Sequence, residues 1–282
     1  MRNRDKITLE LKKFIALRSL SNNETENTKA LQFLEKNLKK IGFSTKIKGK
    51  STSNQPSIIA HLKPKNSSKK AIIYGHYDVA PVKPMHKWIS GEPFLLKEKQ
   101  GRFYGRGVAD NKAPLIMRLH AIKEMVDEKQ SRPEILWLIQ GEEEISAGIR
   151  VAHEIFKKEI NQFKADIFIE ETGFNDLDSG KQIAFLWSPN RKKTHLKKWI
   201  KLLNSSLRNP KIENRHLNKL NGLKTCPFIS NLPDDAIYIG FGPNDKLHNI
   251  HATNESLDIE KCFIHKEQFK HFLTLFSQDN LA

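Results

Sequence analysis

Apolar residues recur at helical spacing through residues 1–41, and then the period changes. Ile7, Leu11, Phe14 and Leu17 form one stripe; Ala30, Leu31, Leu34, Leu38 and Ile41 form a second, which Gly42 closes. This pattern predicts two amphipathic helices. Beyond Gly42, β-type runs appear at 57–62 and 71–74, separated by a turn rich in Pro, Asn, Ser and Lys. A helix is expected over 114–127, a strand over 134–140, a helix near 147–158 and a strand over 165–169. Strands and helices alternating at these lengths predict an α/β sandwich around a mixed, mostly parallel central sheet. The span 181–223 reads differently: mostly polar and basic, with one helix at 196–207 and little else.

The 282 residues are enough for a sizeable core and for one domain over 1–282. Hydrophobic residues at 38% and charged residues at 28% describe a soluble globular chain. The longest apolar runs, such as 135–139, are strand-length and far too short to span a membrane. The charged start, Met1-Arg2-Asn3-Arg4, is unlike a signal peptide, and two cysteines, Cys226 and Cys262, are too few for a disulfide framework. A reducing cytoplasm is the expected location. A net charge of +16 invites a nucleic-acid partner. The basic residues are nevertheless spread along the chain, with clusters at 63–70 and 191–198 and no aromatic platform between them, which argues against one.

Polar residues crowd the carboxyl ends of the predicted strands, where chemistry gathers in open α/β sheets. Ile72-Ile73-Tyr74 runs into Gly75-His76-Tyr77-Asp78, and 136–139 into Gly141-Glu142-Glu143-Glu144. Likewise 167–169 runs into Glu170-Glu171, and 236–239 into Gly240-Phe241-Gly242, with His248 and His251 close behind. Singly these pieces have plainer meanings: His-x-Asp is usually a surface turn, and successive glutamates a solvated helix start. Together they suit a divalent-cation site with imidazole and carboxylate ligands, Zn²⁺ or its neighbours. Adjacent carboxylates are costly unless cations neutralise them. Other motifs fail on inspection. His153-Glu154-Ile155-Phe156-Lys157 lacks the second histidine of a helical zinc motif, and Gly105-Arg106-Gly107-Val108-Ala109-Asp110 has Asp in place of a dinucleotide loop's third glycine.

Five blocks carry a resemblance: Gly75-His76-Tyr77-Asp78 through Val82; Gly101-Arg102-Phe103-Tyr104-Gly105 through Lys112; Gly141-Glu142-Glu143-Glu144; Ile169-Glu170-Glu171-Thr172-Gly173; and Phe241-Gly242-Pro243 with His251-Ala252-Thr253-Asn254-Glu255. Their order and content resemble the di-zinc metallopeptidases that include aminoacylase, acetylornithine deacetylase, succinyl-diaminopimelate desuccinylase, carnosinase-type dipeptidases and glutamate carboxypeptidase. The resemblance implies a three-layer α/β/α catalytic domain and two divalent cations, Zn²⁺ foremost, with Co²⁺ or Mn²⁺ as alternatives. It implies that His76 and Glu170 hold one cation, Glu144 and His251 the other, and Asp110 both. It further implies that Asp78 orients His76, that Glu143 is the general base, and that the Asp110–Asn111 peptide is cis. The reaction implied is hydrolysis of an amide in a small peptide or N-acyl amino acid.

The chain departs from that family in four places. Relatives insert a lid and dimerisation domain where this chain has only a short connection, 181–222, so a monomer is expected. No residue matches the lid's histidine or arginine; Arg191, His195 and His216 are candidates by location only, and the basic stretch 191–198 is the candidate attractor of a substrate carboxylate. The glutamate loop is one residue short, leaving Glu142/Glu143 open as an alternative to Glu143/Glu144 for base and ligand. His248 competes with His251, and Ala113 stands where relatives carry glycine. A lidless pseudoenzyme or binding protein that keeps its metal without efficient turnover is the alternative function.

Overall fold

The structure is a computed structural model that describes residues 3–49, 55–82, 87–144, 151–170, 172–188, 193–214, 228, 232–233 and 236–278, with the side chains of 193–195 and 214 excepted. Two helices lead, α1 (Asn3–Ile15) and α2 (Glu24–Ile41). The second is capped by the Asn23 side chain on the Glu26 N–H and closed by Gly42 at φ +104°, whose N–H returns to Leu38 and Lys39. There follow β1 (Ser44–Lys48), β2 (Ser57–Leu62), β3 (Lys70–His76), β4 (Lys97–Lys99), β5 (Arg102–Tyr104), α3 (Ala113–Asp127), β6 (Glu134–Gln140), α4 (Val151–Phe163) and β7 (Ile167–Glu170). The chain continues through β8 (Phe174–Asn175), β9 (Gln182–Trp187), α5 (Lys193–Ser206), β10 (Pro210–Asn214), β11 (Ile237–Gly240), β12 (Ser256–Asp258) and α6 (Ile259–Ser277).

The main sheet runs β1-β2-β6-β3-β7-β11-β9-β10, with β8 on β9. Its centre, β6-β3-β7-β11, is parallel; β1, β2 and the β11–β9 pair are antiparallel. Period-two alternation divides each strand between two cores. Ile73, Trp137, Ile169 and Ile239 face α1, α2, α3, α5 and α6, whereas Ile72, Leu138, Phe168 and Tyr238 face α4 through Ala152, Phe156 and Ile160. The result is a three-layer α/β/α sandwich with a mixed sheet. A small antiparallel sheet, β12-β5-β4, stands beside it.

The polar composition of 181–223 conceals two strands. Residues 183–186 are buried, and β9 and β10 pair in parallel as part of the main sheet. The described part of that span is therefore woven into the sheet, and α5 buries Trp199, Leu202 and Leu203 in its core.

One buried cation ties the strand ends together. Arg118 of α3 is 1% exposed and donates to the carbonyls of Tyr74 (3.3 Å), Glu170 (3.0 Å) and Phe241 (3.2 Å), at or just past the ends of β3, β7 and β11. Each orphaned buried acceptor costs about 1–3 kcal/mol; the Glu170 carbonyl keeps the Phe241 N–H at 3.4 Å, so Arg118→Met is expected to lower the free energy of unfolding by about 2 kcal/mol or more. Denaturant titration measures this; a loss under about 1 kcal/mol would mean that the guanidinium does not bind these strands.

Candidate metal centre

The central strands end at one edge, and parallel pairing fixes what stands beside what. His76 ends β3 level with Gln140 at the end of β6, and the register Ile73–Ile169 sets Glu170 level with Tyr74, two residues before His76. His76 is 2% exposed, and its Nε2 lies 2.8 Å from Asp110 Oδ1. Asp110 Oδ2 lies 3.2 Å from His251 Nε2, which is also 2.8 Å from Glu144 Oε1. One carboxylate thus stands between two imidazoles brought from opposite ends of the chain, and a second carboxylate adjoins the outer one. His76, Asp110 and Glu144 each offer a ligand atom within 4.8 Å of the others. Glu170 is not part of that trio; its Oε2 accepts from Thr172 Oγ1 at 2.9 Å, and that hydroxyl also meets Tyr238 OH at 2.7 Å.

Asp78 is fully buried and links the histidine to the glutamate loop. Its Oδ1 lies 3.3 Å from His76 Nδ1 and accepts the Glu143 N–H at 3.2 Å, while Oδ2 accepts the Glu144 N–H at 2.8 Å. The same residue thus touches both the ring and the main chain of the glutamate loop. Glu142 points elsewhere: Oε2 accepts the Ala152 N–H in the first turn of α4 at 3.3 Å, a favourable place for a carboxylate. Of the three glutamates, Glu144 is therefore the one whose side chain is bonded to His251.

Residues 107–112 wind into an irregular turn. Gly107 takes φ +83°, and a Cβ there would stand 2.5 Å from Val79 Cγ1, so only glycine fits. Asp110, at φ −134° and ψ 89°, breaks the winding, and the Asp110–Asn111 peptide is cis. Ala113 sits at φ −71°, ψ −45°, ordinary helical values, so its methyl meets no backbone penalty. The turn is held by Lys112, whose Nζ donates to the Phe14 carbonyl in the last turn of α1 and the Leu17 carbonyl just past it, and by Glu255. Both Glu255 oxygens accept from the turn's main chain. This residue lies in the last of the resembling blocks, but nothing in the local pattern marked it as a support for Asp110.

His251 has φ +62°, in the left-handed region that costs a non-glycine residue about 1 kcal/mol or more and that persists where surroundings enforce it. His248 has a different partner: its Nδ1 accepts the Ile250 N–H at 2.9 Å. The structure thus brings His76, Asp78, Asp110, Glu144 and His251 together and carries the Glu143 main chain on Asp78. Arg191 and His216 lie outside the described residues, as do residues 145–150, Glu171 and the side chain of His195.

Charges in this cluster are strongly coupled. Burial works against a protonated His76, yet Asp110, Asp78 and Glu143 together raise its pKa well above the ordinary histidine value. Hydrogen bonds to Asp110 and then Glu144 raise His251 to about 10. Burial pushes the Asp110 carboxyl up, but the two imidazoles outweigh it and hold its pKa well below the usual range. Burial also raises Glu144, with the Asp110 charge adding to it. The metal-free cluster therefore stores protons on its histidines. A cation must displace them, so affinity should rise with pH up to about 10, where His251 gives up its proton, with proton release on binding below that. Calorimetry in buffers of different ionisation enthalpy checks this; pH-independent affinity would contradict the coupling.

A model of the peptidase family M20/M25/M40 matches residues 72–274, which include every one of these side chains. The chain belongs to that family. Within this M20/M25/M40 member, 116 residues are 32% identical to a Beta-Ala-His dipeptidase of Rattus norvegicus, covering 41% of this chain and 23% of the relative. A succinyl-diaminopimelate desuccinylase of Rickettsia canadensis is 31% identical over 137 residues, covering 48% of this chain and 35% of the relative. The chain thus spans only about a quarter to a third of the length of these curated relatives. Among solved structures, the M20 family metallo-carboxypeptidase Sso-CP2 from Sulfolobus solfataricus superposes with a TM-score of 0.78 at 17% identity, covering 98% of this chain and 100% of that one. The di-peptidase Dug1p from Saccharomyces cerevisiae gives 0.73 at 15%, covering 98% and 96%. At such identities these two structures speak for the fold. Among the described residues no helix is long and apolar enough to cross a membrane.

Proposed function

We propose that this chain is a metal-dependent hydrolase that cleaves an amide bond in a small peptide or N-acyl amino acid. The observation that carries it is the Asp110 carboxylate, with one oxygen 2.8 Å from His76 Nε2 and the other 3.2 Å from His251 Nε2. Once the imidazoles give up their protons, a carboxylate between them, with Glu144 bonded to one and Glu170 on the strand beside β3, is a donor set for two divalent cations of the zinc type. His76, Asp110 and Glu170 would hold one, and Asp110, Glu144 and His251 the other. When bound, such cations supply Lewis-acid polarisation of water and of a carbonyl.

The chain's own residues do the rest. Asp78 holds the His76 ring through Nδ1, leaving Nε2 for the centre, an outer support typical of metal-binding histidines. Glu143, whose main chain rests on Asp78, takes a proton from the attacking water and delivers it to the leaving amine. The His251 side chain is 55% exposed, so this side of the centre opens to solvent and admits a substrate. The chain acts as a monomer, and residues 191–198 draw the substrate carboxylate.

The test joins metal analysis of the purified protein to a hydrolysis screen of dipeptides and N-acyl amino acids, with and without chelator. Chelator-sensitive cleavage restored by Zn²⁺, Co²⁺ or Mn²⁺ is expected. Stoichiometric metal without turnover would favour a binding protein, and absence of metal affinity would overturn the assignment.

A further inference from the structure

Asp110 is useful only if its carboxylate points both ways at once, and its local sequence does not ensure that. It lies where a turn changes from helical to extended values, two residues after Val108 and three after the positive-φ Gly107. Turns of this kind leave main-chain N–H groups without helical partners. Here they converge on one side chain. Glu255 Oε1 accepts the N–H of Ala109 (2.8 Å) and of Asp110 itself (3.0 Å). Its Oε2 accepts the N–H of Gly107 (2.8 Å) and Arg106 Nη1 (2.8 Å), and its own carbonyl accepts the Gly105 N–H (3.1 Å). The carboxylate is fully buried.

The position of Glu255 in the chain matters as much as its bonds. It follows His251 by four residues, with Asn254 between them at φ +61° and bonded through Oδ1 to the Ile89 N–H at 2.7 Å. The segment that brings His251 to one oxygen of Asp110 therefore also grips the Asp110 main chain. Moving either moves the other.

We propose that Glu255 is a positioning residue that fixes Asp110 between His76 and His251 by gathering the N–H groups of Gly107, Ala109 and Asp110 onto one buried carboxylate. It rests on the reading of that cluster as a metal centre. The plainer account is that Glu255 merely neutralises Arg106, and the two accounts differ in what each partner's loss does. Arg106→Met removes the ion pair but leaves three main-chain N–H groups on the carboxylate. Glu255→Met removes the same ion pair and releases all three, including that of Asp110.

The experiment titrates Co²⁺ into metal-free full-length protein, followed by visible absorption, for wild type, His76→Ala, Arg106→Met, Glu255→Met and the double variant. Loss of an outer support typically lowers metal affinity about 10–100-fold; Glu255→Met is expected in that range and Arg106→Met below it. The double variant does not leave Arg106 buried without its carboxylate, and Lys112 keeps its bonds to the Phe14 and Leu17 carbonyls, so it decides the matter should Glu255→Met alone fail to fold by near-ultraviolet circular dichroism. It is expected to bind as weakly as Glu255→Met. Equal losses in Arg106→Met and Glu255→Met, or wild-type affinity in Glu255→Met or the double variant, would overturn the proposal. A wild type that binds no Co²⁺, or a His76→Ala variant that binds it undiminished, would instead overturn the metal-centre reading.

Discussion

Glu143→Gln is expected to lower kcat for amide hydrolysis by about 10²–10⁴ while metal content stays near that of wild type, the range set by loss of a general base. The loop around it explains why the two effects should separate. Asp78 holds the main-chain N–H groups of Glu143 and Glu144, so a side-chain amide at 143 leaves the scaffold in place. Glu144 keeps its bond to His251, and Glu142 its bond to the Ala152 N–H. Glu142→Gln should accordingly change kcat far less. Single-turnover assays with matched metal analysis make the comparison. If Glu143→Gln empties the site while Glu144→Gln stays loaded, the roles shift by one residue. If Glu142→Gln is the inactive loaded variant, the shorter register, with Glu142 as base and Glu143 as ligand, is the correct one.

The layered fold and the sheet edge that holds the candidate site were legible because apolar runs are unambiguous where strands are buried on both faces. Residues 71–74, 134–140 and 167–169 could hardly be anything else, and His76, Glu144 and Glu170 follow directly on such runs. Edge strands left a weaker mark. Residues 44–48 alternate between exposed and half-buried positions and carry two lysines, a pattern that suits a sheet margin but resembles a loop in sequence. Strand β9 was obscured for another reason: a short apolar run sits in a long polar neighbourhood, and composition averaged over that span hides it.

The finer points of the site depend on contacts between distant segments. Which glutamate meets His251 is decided by Asp78, more than sixty residues earlier, accepting two successive N–H groups. His251, in a left-handed turn, is the histidine that reaches Asp110, while His248 turns its Nδ1 to the Ile250 N–H. The resemblance to zinc peptidases named His76, Asp110, Glu144 and His251, and the fold brings these side chains within hydrogen-bond reach of one another. It included Glu255 but gave it no role, because its bonds to a loop nearly one hundred and fifty residues away exist only in the folded chain.

Asp110→Asn should be the most damaging single substitution in metal binding, with a loss exceeding the roughly 10–100-fold seen for outer supports, because it alters the shared ligand itself. An amide can accept from one imidazole, but it presents N–H to the other, so the symmetry of the carboxylate is lost. The metal-free protein provides an independent check. The hydrogen bond to Asp110 is the largest cause holding His251 at about 10; without it the imidazole should titrate markedly lower, though still raised by Glu144. Nuclear magnetic resonance titration of the ring protons reads this directly.

The sign of the stability effect follows from the same shifts. A histidine raised by folding stabilises fully below its unfolded pKa, and that contribution is lost as pH rises through the folded value. A depressed aspartate stabilises above its unfolded pKa and loses that contribution as pH falls. The destabilisation of metal-free Asp110→Asn should therefore be greatest between about pH 4 and pH 6.5, the ordinary values for the two groups. It should shrink toward pH 10, where His251 gives up its proton. A penalty that is flat across this range would mean that Asp110 does not pair with protonated histidines, and the bridging geometry would fall with it.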